Sequence, residues 1–387
     1  MSRRTLAHWW SALVVPALLA VTLTGCETSA EATEPTGALA IVVGAHANMP
    51  PAELVGTAAS ARDMAVAQQS YFSVVVADGA PYVAESGGLE AAGDTGLEEE
   101  RDANRKRVDD AVAAARARTP ETDLLAALQV AATSIQAQPG HRRIVVLDSG
   151  LSTTGALDFT NPDLLDAVHS EIADALGTSQ KLPALDGMSV DFLGLGNTAE
   201  PQAELDRIRR TQLQSIWTVV AETAGASSVA VESTSAQGLP AGDLPPVTPV
   251  PMPPGYSCTD NVMTITGGKL AFRPYTDVFL DPATAEEILR PVADQVKDGM
   301  LTAVLNGTSA DIRDPAEQMM LTYFQAQAVA NVWLEFDVPV QQLTVVGLGS
   351  DFPGHRPERD ADGNLDPAVA EGNRTITITF SGPVTCS

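Results

Sequence analysis

The sequence predicts an α/β chain. A doubly wound, mostly parallel sheet comes first, and an α+β sandwich follows a Pro-rich linker. Three observations predict it. Short apolar runs alternate with helical patterns over residues 38–235, the arrangement of a sheet covered on both faces. Seven of the 17 residues in 239–255 are proline, which favours an extended, semi-rigid spacer. Beyond it, over 256–387, strand and helix patterns follow in pairs and close on a strand. The length of 387 residues suits two domains of about 150 residues with extras. At 44% hydrophobic and 19% charged residues, each can bury an ordinary core.

The first 25 residues read as an export signal. Arg3 and Arg4 form a basic front, Trp9 to Leu23 are nearly all apolar, and Thr24-Gly25-Cys26 follow. The apolar run is shorter than the roughly 20 residues of a spanning helix. Leu23-Thr24-Gly25-Cys26 resembles the lipobox of bacterial lipoproteins. That resemblance implies diacylglycerol on the Cys26 thiol, cleavage before it, and anchoring to the outer face of the cell membrane. Buried acyl carbons contribute about 0.8 kcal/mol each, so two chains hold a protein whose charge the membrane repels. Ser2-Arg3-Arg4 also resembles a twin-arginine signal, so both export routes stay open. Residues 26–37 are small and polar, a flexible tether.

In the first block the expected strands are Leu39–Val43, Phe72–Ala77, Arg143–Leu147, Ser189–Leu193 and Ser228–Val231. The expected helices cover 51–69, 100–117, 122–137, 162–176 and 200–224. The acidic stretch 85–101 reads as a loop entering a helix. This order resembles a von Willebrand factor A domain. That family carries a divalent cation on three loops, the first reading Asp-x-Ser-x-Ser. Here Gly44, His46 and Asn48 stand at those places, a poor oxygen set for a hard cation. Thr122 and Asp148 are the remnants of the other two loops. Their plainer readings are a helix N-cap and a strand-end turn residue, and no metal is expected.

In the second block, Phe272–Leu280 is expected as a strand. Asp281-Pro282 then start a helix, as N-cap and N1. Leu301–Leu305, Leu343–Leu348 and Arg374–Phe380 are further strands, and Pro315–Phe336 is a long helix. The layout resembles the OmpA-like C-terminal domain. In that family an Asp and an Arg clasp the diaminopimelate of peptidoglycan. Ala310 and Gln325 stand at those two positions, and Asn373-Arg374-Thr375 holds the place of the family's Asn-Arg-Arg before the last strand. Asp311 replaces the lost Asp only if its loop shifts by one residue. A charge-assisted bond to a zwitterion contributes about 1.5–3 kcal/mol, so losing two predicts weak or absent glycan binding through Asp311, Gln325 and Arg374. With Cys26 acylated, Cys258 and Cys386 are the two thiols left in an exported protein, and their pairing is expected.

The charge excludes more than it names. With 49 acidic and 23 basic residues the chain stands at −26, so no nucleic-acid partner and no electrostatic adhesion to anionic lipid is expected. No catalytic motif, nucleophile–base set or cofactor fingerprint is readable. Asp360-x-Asp362-Gly363-Asn364 hints at calcium but lacks the full ligand order. Trp217 and Trp333 suit core positions. The resulting expectation is a non-catalytic lipoprotein of the cell envelope, without cofactor. It would bind a protein partner or organise the envelope. The alternative is a wall-anchoring adhesin that binds peptidoglycan or metal.

Overall fold

The computed structural model describes residues 37–89, 97–233, 238–240 and 242–386. The signal, Cys26 and the tether up to residue 36 lie outside the described residues. The chain is mixed α/β with two sheets. In order, the first lobe has β1 (Gly37–Val43), α1 (Gly56–Ala67), β2 (Tyr71–Val76), β3 (Tyr82–Gly88), α2 (Leu97–Ala114), α3 (Leu124–Ile135), β4 (His141–Leu147), α4 (Pro162–Asp166), α5 (His169–Thr178), β5 (Ser189–Leu193), α6 (Arg207–Thr223) and β6 (Ser228–Glu232). The second lobe has β7 (Tyr256–Thr259), β8 (Val262–Ile265), α7 (Pro282–Asp298), β9 (Ala303–Thr308), α8 (Pro315–Glu335), β10 (Leu343–Gly349), α9 (Pro367–Gly372) and β11 (Ile376–Phe380). Both sheets belong to one compact body.

The first sheet runs β3-β2-β1-β4-β5-β6. All its pairs are parallel except β2–β3. Strand β1 shows why. Leu39, Ile41 and Val43 enter the core beneath α1 and α2, while Ala38, Ala40 and Val42 enter the core beneath α3, α5 and α6. A strand buried on both faces needs an unbroken apolar run, and this one has it. Strand β3 has none. Its sequence, Tyr-Val-Ala-Glu-Ser-Gly-Gly, is partly exposed at the sheet edge, so part of the expected acidic loop is strand. An edge strand covered by little else carries no apolar signature.

The helix boundaries shift for local reasons. The stretch 51–69 becomes helical only at Gly56, after Pro50 and Pro51. The single helix expected over 162–176 is two, α4 and α5, with Ala167 and Val168 extended between them. The helix expected from residue 200 starts at Arg207, where Asp206 caps it by accepting from the Arg209 N–H. Asp123, not Thr122, caps α3.

The second sheet runs β10-β9-β11-β8-β7. Phe272–Leu280 is not its first strand. That segment is a turn closed by a Phe272–Phe279 bridge, its two rings stacked at 4.4 Å. The edge position goes to the β7–β8 hairpin, which the sequence reading missed. Helices α7 and α8 cover one face, with Leu289, Val292, Val296, Val329 and Trp333 buried against Met263, Leu305 and Ile378. Asp281 caps α7 as expected. A disulfide joins Cys258 to Cys386.

The Pro-rich segment, expected as a semi-rigid spacer, runs as a strap along the first lobe. Val247 and Val250 are buried against the first lobe. Asn48 donates to the Val247 carbonyl at 3.1 Å, the Val250 N–H donates to Gln202 at 2.7 Å, and Arg209 donates to the Pro253 carbonyl. Proline fixes φ and leaves carbonyls unpaired within the segment. Here side chains of the first lobe bind those carbonyls, so the segment lies along its surface.

Candidate functional site

Two groups of residues carry the polar chemistry. The first lies at the carboxyl ends of β1 and β4. Gly44 leaves β1 beside the Asp148 carboxylate, and a Cβ there would sit 2.5 Å from the Met49 sulfur. Only glycine fits. His46 is buried, with Nε2 3.3 Å from the Asp148 carboxylate and Nδ1 2.5 Å from the Ala47 carbonyl. Both ring nitrogens face acceptors, which is the bonding of an imidazolium. Burial works to lower the His46 pKa, but the bond to Asp148 and its charge outweigh burial and raise it. Asp148 also accepts from the Gly150 N–H at 2.7 Å, a strand-end turn. Thr122 is buried, its hydroxyl donating to the Ala77 carbonyl at 3.4 Å. A divalent cation does not fit. The ring of His46 already holds the open oxygen of Asp148, and the hydroxyl of Thr122 is turned to backbone. Among the described residues no three His, Cys, Asp or Glu side chains are grouped to hold a metal.

This pair has a pH signature. A His whose folded-state pKa is raised contributes stability that is present below its ordinary value of 6.5 and lost as pH rises through the folded value. The urea midpoint of the wild type is therefore expected to fall between pH 6 and pH 9 more than that of His46→Gln. Parallel curves for the two proteins would show that the pair does not titrate.

The second group surrounds a cavity of about 80 Å³ between the lobes. That volume has room for a few waters only. Arg374, which leads into β11, donates to Glu171 on α5 at 2.6 Å and to Glu371 on α9 at 2.9 Å. The Tyr275 hydroxyl donates to the same Glu171 oxygen at 2.7 Å, and the Arg313 guanidinium stacks 3.9 Å over the Tyr275 ring. The other Glu171 oxygen is buried with no partner among the described residues. Arg209 lies 3.9 Å from Asp166, which accepts from the Gly268 N–H at 3.1 Å.

Two carboxylates facing one guanidinium leave excess negative charge in a poorly solvated place. Burial first, offset by Arg374, pushes Glu371 up to about 7. Burial, offset by Arg209, pushes Asp166 up to about 6. The tyrosine pKa at Tyr275 rises through burial and its bond to Glu171.

The structure brings Gln325 and Arg374 onto this cavity but not Asp311. Gln325 donates to the Thr276 carbonyl at 2.9 Å. Ala310 is fully buried. Asp311 is exposed, its N–H donating to Glu358 and its carboxylate accepting from Gln318 at 3.4 Å. The sequence reading missed Glu171, Tyr275, Arg313 and Glu371. Arg374 carried a motif signal. Glu171 carried none, because it reaches the site from the other lobe. Elsewhere, the Asp360 carboxylate is filled by the N–H groups of Asp362 and Asn364 and by the Asn364 amide, which makes it a turn.

No protein-family model matches the chain, and no curated protein matches it. Among solved structures it is similar to the periplasmic domain of Helicobacter pylori MotB, with 18% identity over 32% of this chain and 76% of that one, at a TM-score of 0.26. It is similar to the peptidoglycan-associated lipoprotein of Burkholderia pseudomallei, with 18% identity over 28% of this chain and 85% of that one, at 0.23. An outer membrane protein of Borrelia burgdorferi B31 gives 14% identity over 32% and 95%, at 0.22. At such scores none of these likenesses defines a family for the chain. Among the described residues no helix is long and apolar enough to cross a membrane.

Proposed function

We propose that the chain is a non-catalytic, lipid-anchored protein of the bacterial cell envelope. It stands on the extracytoplasmic face and displays two domains to protein partners. The first domain, 38–235, is read as von Willebrand A-like and the second, 256–387, as OmpA-like. Supporting the first is the sheet order β3-β2-β1-β4-β5-β6 with one antiparallel edge. Supporting the second is a sheet in which β9 and β10 are parallel neighbours and β11 returns beside β8. Anchoring rests on the lipobox at Cys26.

One observation carries the preference for display over glycan binding. The groups that would hold a ligand are already bound within the chain, Arg374 by Glu171 and Glu371, and Gln325 by Thr276. A ligand would have to displace contacts that fold the protein. The second reading, a wall-anchoring adhesin, has one observation in its favour. Arg374 and Tyr275 together do hold a carboxylate, that of Glu171.

The test is co-sedimentation with purified diaminopimelate-type sacculi at low salt. No saturable binding is expected. Saturable binding abolished by Asp311→Ala would overturn the display reading in favour of the adhesin.

A further inference from the structure

Helix α8 buries Gln318, Thr322, Ala326, Val329, Ala330 and Trp333 on one side. Its opposite side should be polar, as on an ordinary surface helix. It is not. Met319 is 53% exposed, Met320 57%, Tyr323 40% and Phe324 45%. The Tyr323 and Phe324 rings meet edge to face at 5.6 Å. Single exposed apolar residues need no explanation, but four adjoining ones on a helix mark a contact surface. Methionine beside aromatic rings suits a surface that repacks around a partner. Strand β10, the sheet edge, flanks the patch, because Gly347 lies against the backbone of Met319 and Tyr323.

Charge selects the occupant. From Gln318 to Leu334 the helix has no charged residue. Exposed acids bound this uncharged stretch, Asp314 and Glu317 within about a turn of the patch and Glu335 and Asp337 about three turns beyond it. The helix itself has no Lys or Arg. Arg313, the nearest cation in sequence, is stacked on Tyr275. The whole chain stands at −26, so a second copy or an anionic lipid surface brings charge of the same sign. The patch from Met319 to Phe324 is short, about 7.5 Å along the axis, which limits the anchor to two or three apolar side chains.

We propose that this face of α8 docks a cationic amphipathic segment of a partner protein, with apolar side chains on the Met–Tyr–Phe patch and Lys or Arg at its acidic ends. This rests on the display reading above and names the surface and the chemistry of the partner.

The probe is a fluorescent helical peptide of leucine and lysine only, about four turns long, titrated by anisotropy into the full chain. Saturable binding is expected. Met320→Gln with Phe324→Gln is expected to weaken it at least about tenfold, and Glu317→Lys several-fold at low salt only. Both sites are exposed, and unchanged circular dichroism melting shows the variants are folded. Equal binding of a serine–lysine peptide, or no effect of the paired glutamines, would overturn the proposal. So would sedimentation that finds a dimer abolished by the same pair, which assigns the face to a second copy. Sacculus binding with peptide binding intact would sink the display reading and leave the patch standing. Peptide failure without sacculus binding would sink the patch alone.

Discussion

Arg374→Ala is expected to destabilise the chain by about 3 kcal/mol at pH 8, because without it the buried Glu171 and Glu371 must either lose their charge or keep it without a counter-charge. The side chains of Glu171 and Glu371 are 7% and 11% exposed, so water replaces little of what is lost. The size and sign both follow from geometry. In the wild type Arg374 is the chief influence holding Glu371 down against burial, and the result is still about 7. A carboxylate raised in this way favours the folded state most when it is protonated. Its contribution is fullest below the ordinary value of 4.5 and falls as pH climbs to the folded value. Without Arg374 the folded value moves higher. The deficit of the variant is therefore expected to grow from pH 5 to pH 8. Urea unfolding at both pH values checks this, with Trp217 and Trp333 as fully buried reporters, one in each core. Arg374→Ala combined with Glu171→Gln and Glu371→Gln is expected to recover much of the loss, since no buried charge then remains unpaired. A deficit independent of pH would show that Arg374 acts by packing alone.

This site shows where the sequence was readable and where it was not. The buried strands β1, β2, β4 and β5 declared themselves through short runs of Val, Ile, Leu and Phe, unbroken in β1 and interrupted by Ser73 in β2 and by Asp191 in β5. The cap of α7 was equally plain, with Asp281 followed by Pro282 at the first helical position. The hairpin β7–β8 was missed because four-residue strands are too short to show a period. The course of the Pro-rich segment was hidden for another reason. Its composition reports local stiffness, whereas its position depends on Asn48, Gln202 and Arg209, residues distant in sequence. The same limit hid the cavity. Gln325 and Arg374 were marked by motif positions, but Glu171 and Tyr275 acquire meaning only when α5 meets the turn after β8. The patch on α8 was visible as Met319-Met320 and Tyr323-Phe324, yet only the packed helix shows that these residues face outward.

The second large effect is expected at Gly307 and Gly347. These residues are direct partners across the parallel β9–β10 ladder. Together they form a bare strip of sheet on which α8 lies. A Cβ on Gly307 would meet the carbonyl of Thr322, with the Thr322 carbonyl carbon at 2.9 Å. A Cβ on Gly347 would meet the Met319 carbonyl and lie 2.6 Å from the Tyr323 nitrogen. These neighbours are helix backbone, not the flexible ends of side chains, so relief requires lifting the helix. Lifting it strains the bond from the Gly349 N–H to the Thr322 hydroxyl, now 3.1 Å, and loosens Trp333 against Phe380. Overpacking of a dense core costs about 1–3 kcal/mol per site, and two adjoining sites share one displacement. Gly307→Ala and Gly347→Ala are each expected to lower the urea midpoint, and the double variant by less than the sum of the two. Gly242→Ala, with open space around its Cβ, is the control and is expected to change little. If the alanine variants match that control, α8 does not rest on the sheet through its backbone. The outward face carrying Met320 and Phe324 would then be held less rigidly than partner docking requires.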